Sequence, residues 1–172
     1  MRAHALIVMG VAGSGKTTVG RRLARRLGWT FLDADEYHPR ANVEKMARGV
    51  PLTDADRRPW LEALHELIAA KLAAGESLVM ACSALKERYR EALRVGDEPH
   101  FVHLRGDFDL IHERLLARRG HYMPAELLAS QFEALEEPRD AIIVDIGSSV
   151  EGIVDDILGR LPRFSAAEPE DN

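Results

Sequence analysis

Apolar and polar residues alternate along this chain in blocks of two kinds. Short unbroken apolar runs, such as Ala5-Leu6-Ile7-Val8-Met9, carry no polar face and suit strands covered on both sides. Longer segments repeat apolar residues every third or fourth position, the period of a helix with one buried face. Read in order, the pattern predicts a strand over 4–9, a glycine-rich turn, and a helix from Lys16 to Leu27 in which Val19, Leu23 and Leu27 share a face. A second strand, Thr30–Asp33, ends in an acidic pair, and a loop carrying His38-Pro39 leads to a short helix near 43–48. Thr53 is placed to N-cap a long helix that reaches Ala74 and closes at Gly75, with Leu61, Leu64, Ile68 and Leu72 along one side. Strands over 77–82, 100–104 and 142–145 then alternate with helices near 85–95, 107–118 and 125–136. A last helix buries Val150, Ile153, Val154, Ile157, Leu158 and Leu161. Strands separated by helices pair in parallel through crossovers, so the expected fold is a three-layer α/β/α domain around a five-stranded parallel sheet.

Length and charge narrow the picture. With 172 residues, one domain over 1–164 is expected, with a small lid at about 118–130 and a flexible polar tail at 165–172. The net charge of −5 argues against a general nucleic-acid or membrane-surface binder, because phosphate backbones and anionic lipids need a basic face. A single cysteine, Cys82, rules out an internal disulfide framework and points to a reducing cytoplasm. The opening apolar run is too short for a signal peptide or a membrane span and is read as a buried strand.

Chemistry enters at the first turn. Gly10-Val11-Ala12-Gly13-Ser14-Gly15-Lys16-Thr17, followed by Thr18, matches G-x-x-x-x-G-K-[ST] without a gap, with an apolar strand entering and a helix leaving. Glycines let the backbone wrap closely around phosphate oxygens. Lys16 is expected to reach the β- and γ-phosphates of ATP, and Thr17 to bind Mg²⁺. Such a loop also serves GTPases, motors and nucleotide sensors, although no N-K-x-D base-recognition element is present. Asp33 and Asp35, two residues apart on an extended chain, would project to one side, where they could anchor the metal's water shell and accept a hydroxyl proton. Arg114 and Arg118 share a helix face just before Gly120-His121-Tyr122-Met123, as a mobile lid would place them. One could stack on adenine and the other neutralise the transferring phosphoryl group. The plainer alternatives are solvated carboxylates at a strand end and a solvated basic helix face.

Three further stretches carry a family resemblance. They are Asp33-Ala34-Asp35-Glu36-Tyr37-His38-Pro39-Arg40-Ala41-Asn42-Val43-Glu44-Lys45-Met46 continuing through Gly49 to Leu61, Ala81-Cys82-Ser83-Ala84-Leu85-Lys86 with Tyr89-Arg90, and Arg118 to Met123 with Ser130-Gln131-Phe132 and Leu135-Glu136-Glu137-Pro138. With the phosphate loop they resemble, in the same order and over nearly the whole chain, the bacterial gluconate kinases. That resemblance implies transfer of the γ-phosphoryl group of ATP to the 6-hydroxyl of D-gluconate, Mg²⁺ as the metal, and a homodimer. It implies that Gly10 to Thr17 hold ATP and Mg²⁺, with Asp33 facing the metal and Asp35 favoured as base. His38, Asn42, Lys45 and Arg57 would line the sugar-acid pocket, with Ser83 and Lys86 as further candidates. The third strand ends in Ala81-Cys82 without an acidic residue, so the acidic pair on the second strand stands in for a Walker B aspartate, as in the similar shikimate kinases. The glycine triplet expected of a shikimate kinase is missing. A kinase for another hydroxyl acceptor, such as shikimate or a nucleoside monophosphate, and a non-enzymatic nucleotide switch are the competing readings.

The remaining residues have simpler roles. Cys82 is expected to be a small buried group, Trp60 core, and Met46 and Met123 gap-fillers. His100 and His103 read as structural or surface groups, and no His/Cys spacing suggests zinc. His121 could touch phosphate or simply end a helix.

Overall fold

A computed structural model describes residues 2–118 and 124–162. Gly120 to Met123 of the expected lid, His121 and Met123 among them, and the tail at 165–172 lie outside the described residues.

The strand predicted first is the centre of the sheet. Strand β1 (Ala5–Met9) is buried at all five positions. It lies between β3 (Leu78–Ala81) and β4 (His100–Arg105), with β2 (Thr30–Asp33) outside β3 and β5 (Ile142–Asp145) outside β4. All four pairings are parallel, with Ala5 opposite Leu78 and Leu6 opposite His100. Strand alternation splits the core in two. Leu6, Val8, Val79, Val102 and Leu104 pack beneath α1 (Lys16–Leu27), α5 (Phe108–Ala117) and α7 (Val150–Arg160). Ala5, Ile7, Met9, Leu78, Met80 and Phe101 pack beneath α3 (Asp54–Ala73) and α4 (Glu87–Ala92). Each fully buried aliphatic side chain contributes about 1.5–3 kcal/mol. The best-anchored strand is therefore the one that carries the phosphate loop at its C-terminal end. Among the described residues no helix is long and apolar enough to cross a membrane.

Helix ends follow local chemistry. Gly28 closes α1 with a left-handed φ of 70°. Thr53 and Asp56 form a capping box at the start of α3: Thr53 Oγ1 accepts from Asp56 N at 3.1 Å, and Asp56 Oδ2 accepts from Thr53 N at 2.8 Å. Helix α6 (Ala125–Ala134) lays Leu128 and Phe132 on the α1-side core.

Three expectations change. Helix α2 spans Arg40–Ala47, starting earlier than predicted, with Pro39 as its N-cap and the Pro39 carbonyl accepting from Asn42 N at 2.9 Å and Val43 N at 3.2 Å. Only Asn42 of α2 is buried, so Met46 is 43% exposed and fills no gap. Between β2 and α2 a single 3₁₀ turn, Ala34–Tyr37, replaces the extended acidic segment.

Candidate active site

The loop after β1 folds tightly on itself, with Ser14 N donating to Val11 O at 3.2 Å. Two of its glycines are sterically required. A Cβ on Gly10 (φ 151°) would stand 2.7 Å from Ser14 Oγ and 2.9 Å from Leu104 O, and one on Gly13 (φ 77°) would stand 2.7 Å from Leu115 Cγ. No side chain caps α1 and no acidic residue occupies its first turn, so the leading N–H groups face the loop without an internal anion. Lys16, the first residue of that helix, bends back to donate from Nζ to Val11 O at 3.0 Å. Burial holds its ammonium below the usual lysine value, opposed first by Asp35 and then by Cys82 and Asp33, while Arg118 adds to the lowering. Lys16, Asp33, Asp35 and Arg118 therefore share one electrostatic neighbourhood. Cys82 lies in it too, but burial pushes its thiol up to about 12, which leaves it un-ionised.

The acidic pair is not extended. Asp33 caps the 3₁₀ turn, its Oδ1 accepting from Asp35 N at 3.0 Å. That bond curls Asp35 back toward Lys16 and leaves the second Asp33 oxygen for another partner. Burial first, and Asp33 second, raise the Asp35 pKa, a shift that favours proton acceptance over a passive surface charge. Trp60 holds this turn from below: its Nε1 donates to Ala34 O at 2.7 Å, and its ring stacks on His38 at 4.3 Å. Burial lowers the His38 pKa, so its imidazole is neutral near pH 7. Trp60, expected only as core, is also the platform for His38.

The other substrate-side candidates form one connected layer. Asn42 Nδ2 lies 3.3 Å from His38 Nδ1 and donates to Asp56 O at 2.9 Å. Lys45 Nζ pairs with Asp56 Oδ2 at 2.6 Å, so its charge is already engaged. Arg57 donates to Leu52 O at 2.8 Å and to Tyr89 Oη at 3.3 Å, with its guanidinium 5.5 Å from the Tyr89 ring centre. Lys86 Nζ approaches the same ring at 5.8 Å. Ser83 follows β3 directly, and its carbonyl accepts from Gly10 N at 3.3 Å.

Asp56, absent from the sequence-based candidates, is the hub of this layer. Its hydrogen bond from Lys45, followed by that from Thr53 N, holds its pKa down at about 2. A depressed carboxylate stabilises the fold fully above its unfolded value of about 3.8, and that contribution is lost as pH falls through about 2. In thermal melts, the stability gap between the parent and Asp56→Asn is expected to be constant above pH 4 and to close toward pH 2.

Arg90 stands in the sequence only within the family resemblance, with no role assigned. It is 1% exposed. Its NH1 donates to Ala84 O at 2.7 Å and Leu85 O at 3.1 Å, and its NH2 to Glu136 O at 2.8 Å and Glu87 Oε2 at 2.9 Å. Ala84, at φ 45°, is the one non-glycine residue with positive φ among those described. Arg90 thus clamps the strained Ser83–Lys86 loop and ties it to the chain leaving α6. Arg90→Met would take the donor from the buried Ala84 carbonyl and the part-buried Glu136 carbonyl, while Leu85 O keeps Glu136 N, and a loss of about 3 kcal/mol is expected. Calorimetry should show it as a fall in melting temperature of about 6–12 °C.

On the other side of the phosphate loop lies a cleft of about 370 Å³, lined by Gly13, Thr18, Arg114, Arg118, Ser149 and Val150 among others. Arg114 donates to Ile146 O at 2.7 Å, which braces the chain leaving β5. Helix α6 closes the loop's far side, where Gln131 Oε1 accepts from Ala12 N at 2.7 Å. The Ser148–Val150 wall belongs to no motif, and Gln131 stands in the sequence only within the family resemblance, with no role assigned. Only Val150 of that wall is marked by the sequence pattern; Ser149 is the N-cap of α7, its side chain accepting from Gly152 N.

A family model described as an AAA domain matches residues 6–141. A probable gluconokinase of Xenopus tropicalis is 45% identical over 177 aligned residues, covering 92% of this chain and 93% of that protein. The chain belongs to the gluconokinase family. A gluconokinase of Gluconobacter oxydans is 49% identical, covering 98% of this chain and 94% of its own. The crystal structure of a gluconokinase from Sinorhizobium meliloti superposes with a TM-score of 0.83 at 42% identity, covering 92% of this chain and 91% of that one. Gluconokinase-family membership thus extends to the whole three-layer architecture that brings the phosphate loop, the Asp33–Asp35 turn and the Ser83–Lys86 loop to one end of the sheet.

Proposed function

We propose that this chain is a gluconokinase that transfers the γ-phosphoryl group of ATP to the 6-hydroxyl of D-gluconate, giving 6-phospho-D-gluconate and ADP. The observation that carries this reading is the electrostatic coupling of the half-buried Lys16 with the more exposed Asp35 at the mouth of the phosphate loop, beside the His38–Asn42–Arg57 layer. Residues Gly10 to Thr18 would cradle the triphosphate, with the nucleoside in the cleft between Arg114, Arg118 and Ser149. Lys16 would exchange Val11 O for phosphate oxygens and stabilise the charge that develops on them.

Asp35 would accept the proton of the 6-hydroxyl as its oxygen bonds to the γ-phosphorus and the bond to ADP breaks. A neutral His38 with Nδ1 facing Asn42 offers Nε2–H to a substrate hydroxyl. Arg57 and Lys86, both over Tyr89, would offer cations to the sugar-acid carboxylate. Thr17 and Asp33 present oxygen donors only, the set a hard divalent ion prefers, so Mg²⁺ held there would neutralise phosphate charge. A cytoplasmic setting accords with the lone cysteine, and a homodimer accords with the family.

ADP release measured across D-gluconate, shikimate, other sugar acids and nucleoside monophosphates tests the substrate. Turnover that depends on gluconate is expected. A flat response to gluconate with turnover of another acceptor, or nucleotide binding without acceptor-dependent turnover, would overturn the reading.

A further inference from the structure

At the end of the sheet opposite the phosphate loop, three metal-ligating side chains converge that the proposed reaction does not use. His4 immediately precedes β1, and His100 opens β4, the strand paired with it. Glu98 lies on the turn that enters β4 and is 4% exposed. Its Oε2 accepts from Ala5 N at 3.0 Å. Its Oε1 faces both imidazoles, 2.7 Å from His4 Nδ1 and 3.6 Å from His100 Nε2. One ligand atom from each of the three lies within 4.8 Å of the others, and no other such cluster occurs among the described residues.

We propose that His4, Glu98 and His100 form a binding site for a borderline divalent transition metal, with Zn²⁺ the best fit. Zinc takes imidazole nitrogen and carboxylate oxygen at about 2.0–2.2 Å in tetrahedral array, which sets neighbouring ligand atoms about 3.3–3.5 Å apart. The two separations from Oε1 straddle that spacing, so small side-chain rotations suffice to admit the ion. The Ala5 N–H bond fixes the carboxylate from behind, as an outer partner of a metal ligand does. Two imidazoles and one carboxylate leave a fourth position to water. The same donors suit Mg²⁺ poorly, because it prefers an all-oxygen shell, so the site does not compete with the metal that accompanies the nucleotide. His4 and Glu98 are 94 positions apart in sequence, which is why no local spacing betrays the cluster. For the same reason, a metal here would clip the entry of β1 to the entry of β4 and stabilise the sheet where its central strand and that neighbour begin.

The bland alternative is a His–Glu–His charge cluster that holds no ion, and zinc titration separates the two. Chelator-treated, nucleotide-free full-length protein is titrated with ZnCl₂ by calorimetry and melted at matched zinc concentrations. The expected result is one ion per chain, with a melting temperature raised by about 5–10 °C when free zinc is about 100-fold above Kd. His100→Ala, at a half-exposed position that the chain should tolerate, is expected to lose both signals, as is His4→Ala. No zinc-dependent shift in the parent would overturn the proposal. So would binding and a shift that persist in both variants, since the ion would then sit elsewhere.

Discussion

Lys16→Ala is expected to lower phosphoryl transfer by at least about 10³-fold while leaving the melting temperature unchanged or raised. The two halves of that expectation share a cause. Lys16 is half-buried, and its depressed pKa reports that holding the ammonium there costs free energy that Asp35 and Asp33 offset only in part. Its hydrogen bond is to the Val11 carbonyl of its own loop. Removing the side chain relieves desolvation and forfeits that one bond, so the fold has little to lose. The transition state has more to lose, because charge on the transferring group would be met in a site that excludes water, where a fixed cation is worth most. A 10³-fold loss corresponds to about 4 kcal/mol. Steady-state kinetics with saturating ATP, beside a thermal melt, check both halves. Near-normal turnover, or a collapse of stability, would contradict the assignment.

Asp35→Asn is expected to cut kcat by about 10²-fold or more with a smaller change in the KM for the acceptor. Asparagine keeps the size and the hydrogen-bonding edge but cannot take up the hydroxyl proton. The side chain at Asp33 supplies the cap of the 3₁₀ turn, and Asp35 contributes only its backbone N–H, so the substitution leaves the turn's own bond intact. The corresponding change at Asp33 lacks that virtue, because it would disturb the turn as well as any metal contact. A split between kcat and KM therefore distinguishes a base from a binding group. Retention of near-normal kcat would remove Asp35 from the proposed role.

What was legible in advance was whatever depends on neighbours in sequence. The unbroken apolar run of β1, the gap-free phosphate loop behind it and the Thr53 cap need only a few adjacent residues, and each sits where the pattern placed it. The acidic pair was legible in composition but not in shape. Alternation along an extended chain is a default, and a side-chain cap from Asp33 to the Asp35 N–H overrides it. Arg90 was invisible as a clamp because one of its acceptors, Glu136 O, lies 46 residues away, and a helical arginine defaults to a solvated face. Gln131 reaches Ala12 across 119 residues, beyond any local pattern. Met46 misled because hydrophobicity marks burial only when another layer covers the helix, and α2 is pinned instead by the polar Asn42 and Lys45 contacts to α3.

The most direct test of the account is the fate of the γ-phosphorus itself. Purified protein is incubated with ATP, Mg²⁺ and D-gluconate, and the products are followed by ³¹P NMR with ¹³C-labelled acceptor. The account predicts one phosphate monoester per ADP, with phosphorus coupled to C6 of the sugar acid. ADP that accumulates with inorganic phosphate at the same rate with or without gluconate would contradict it.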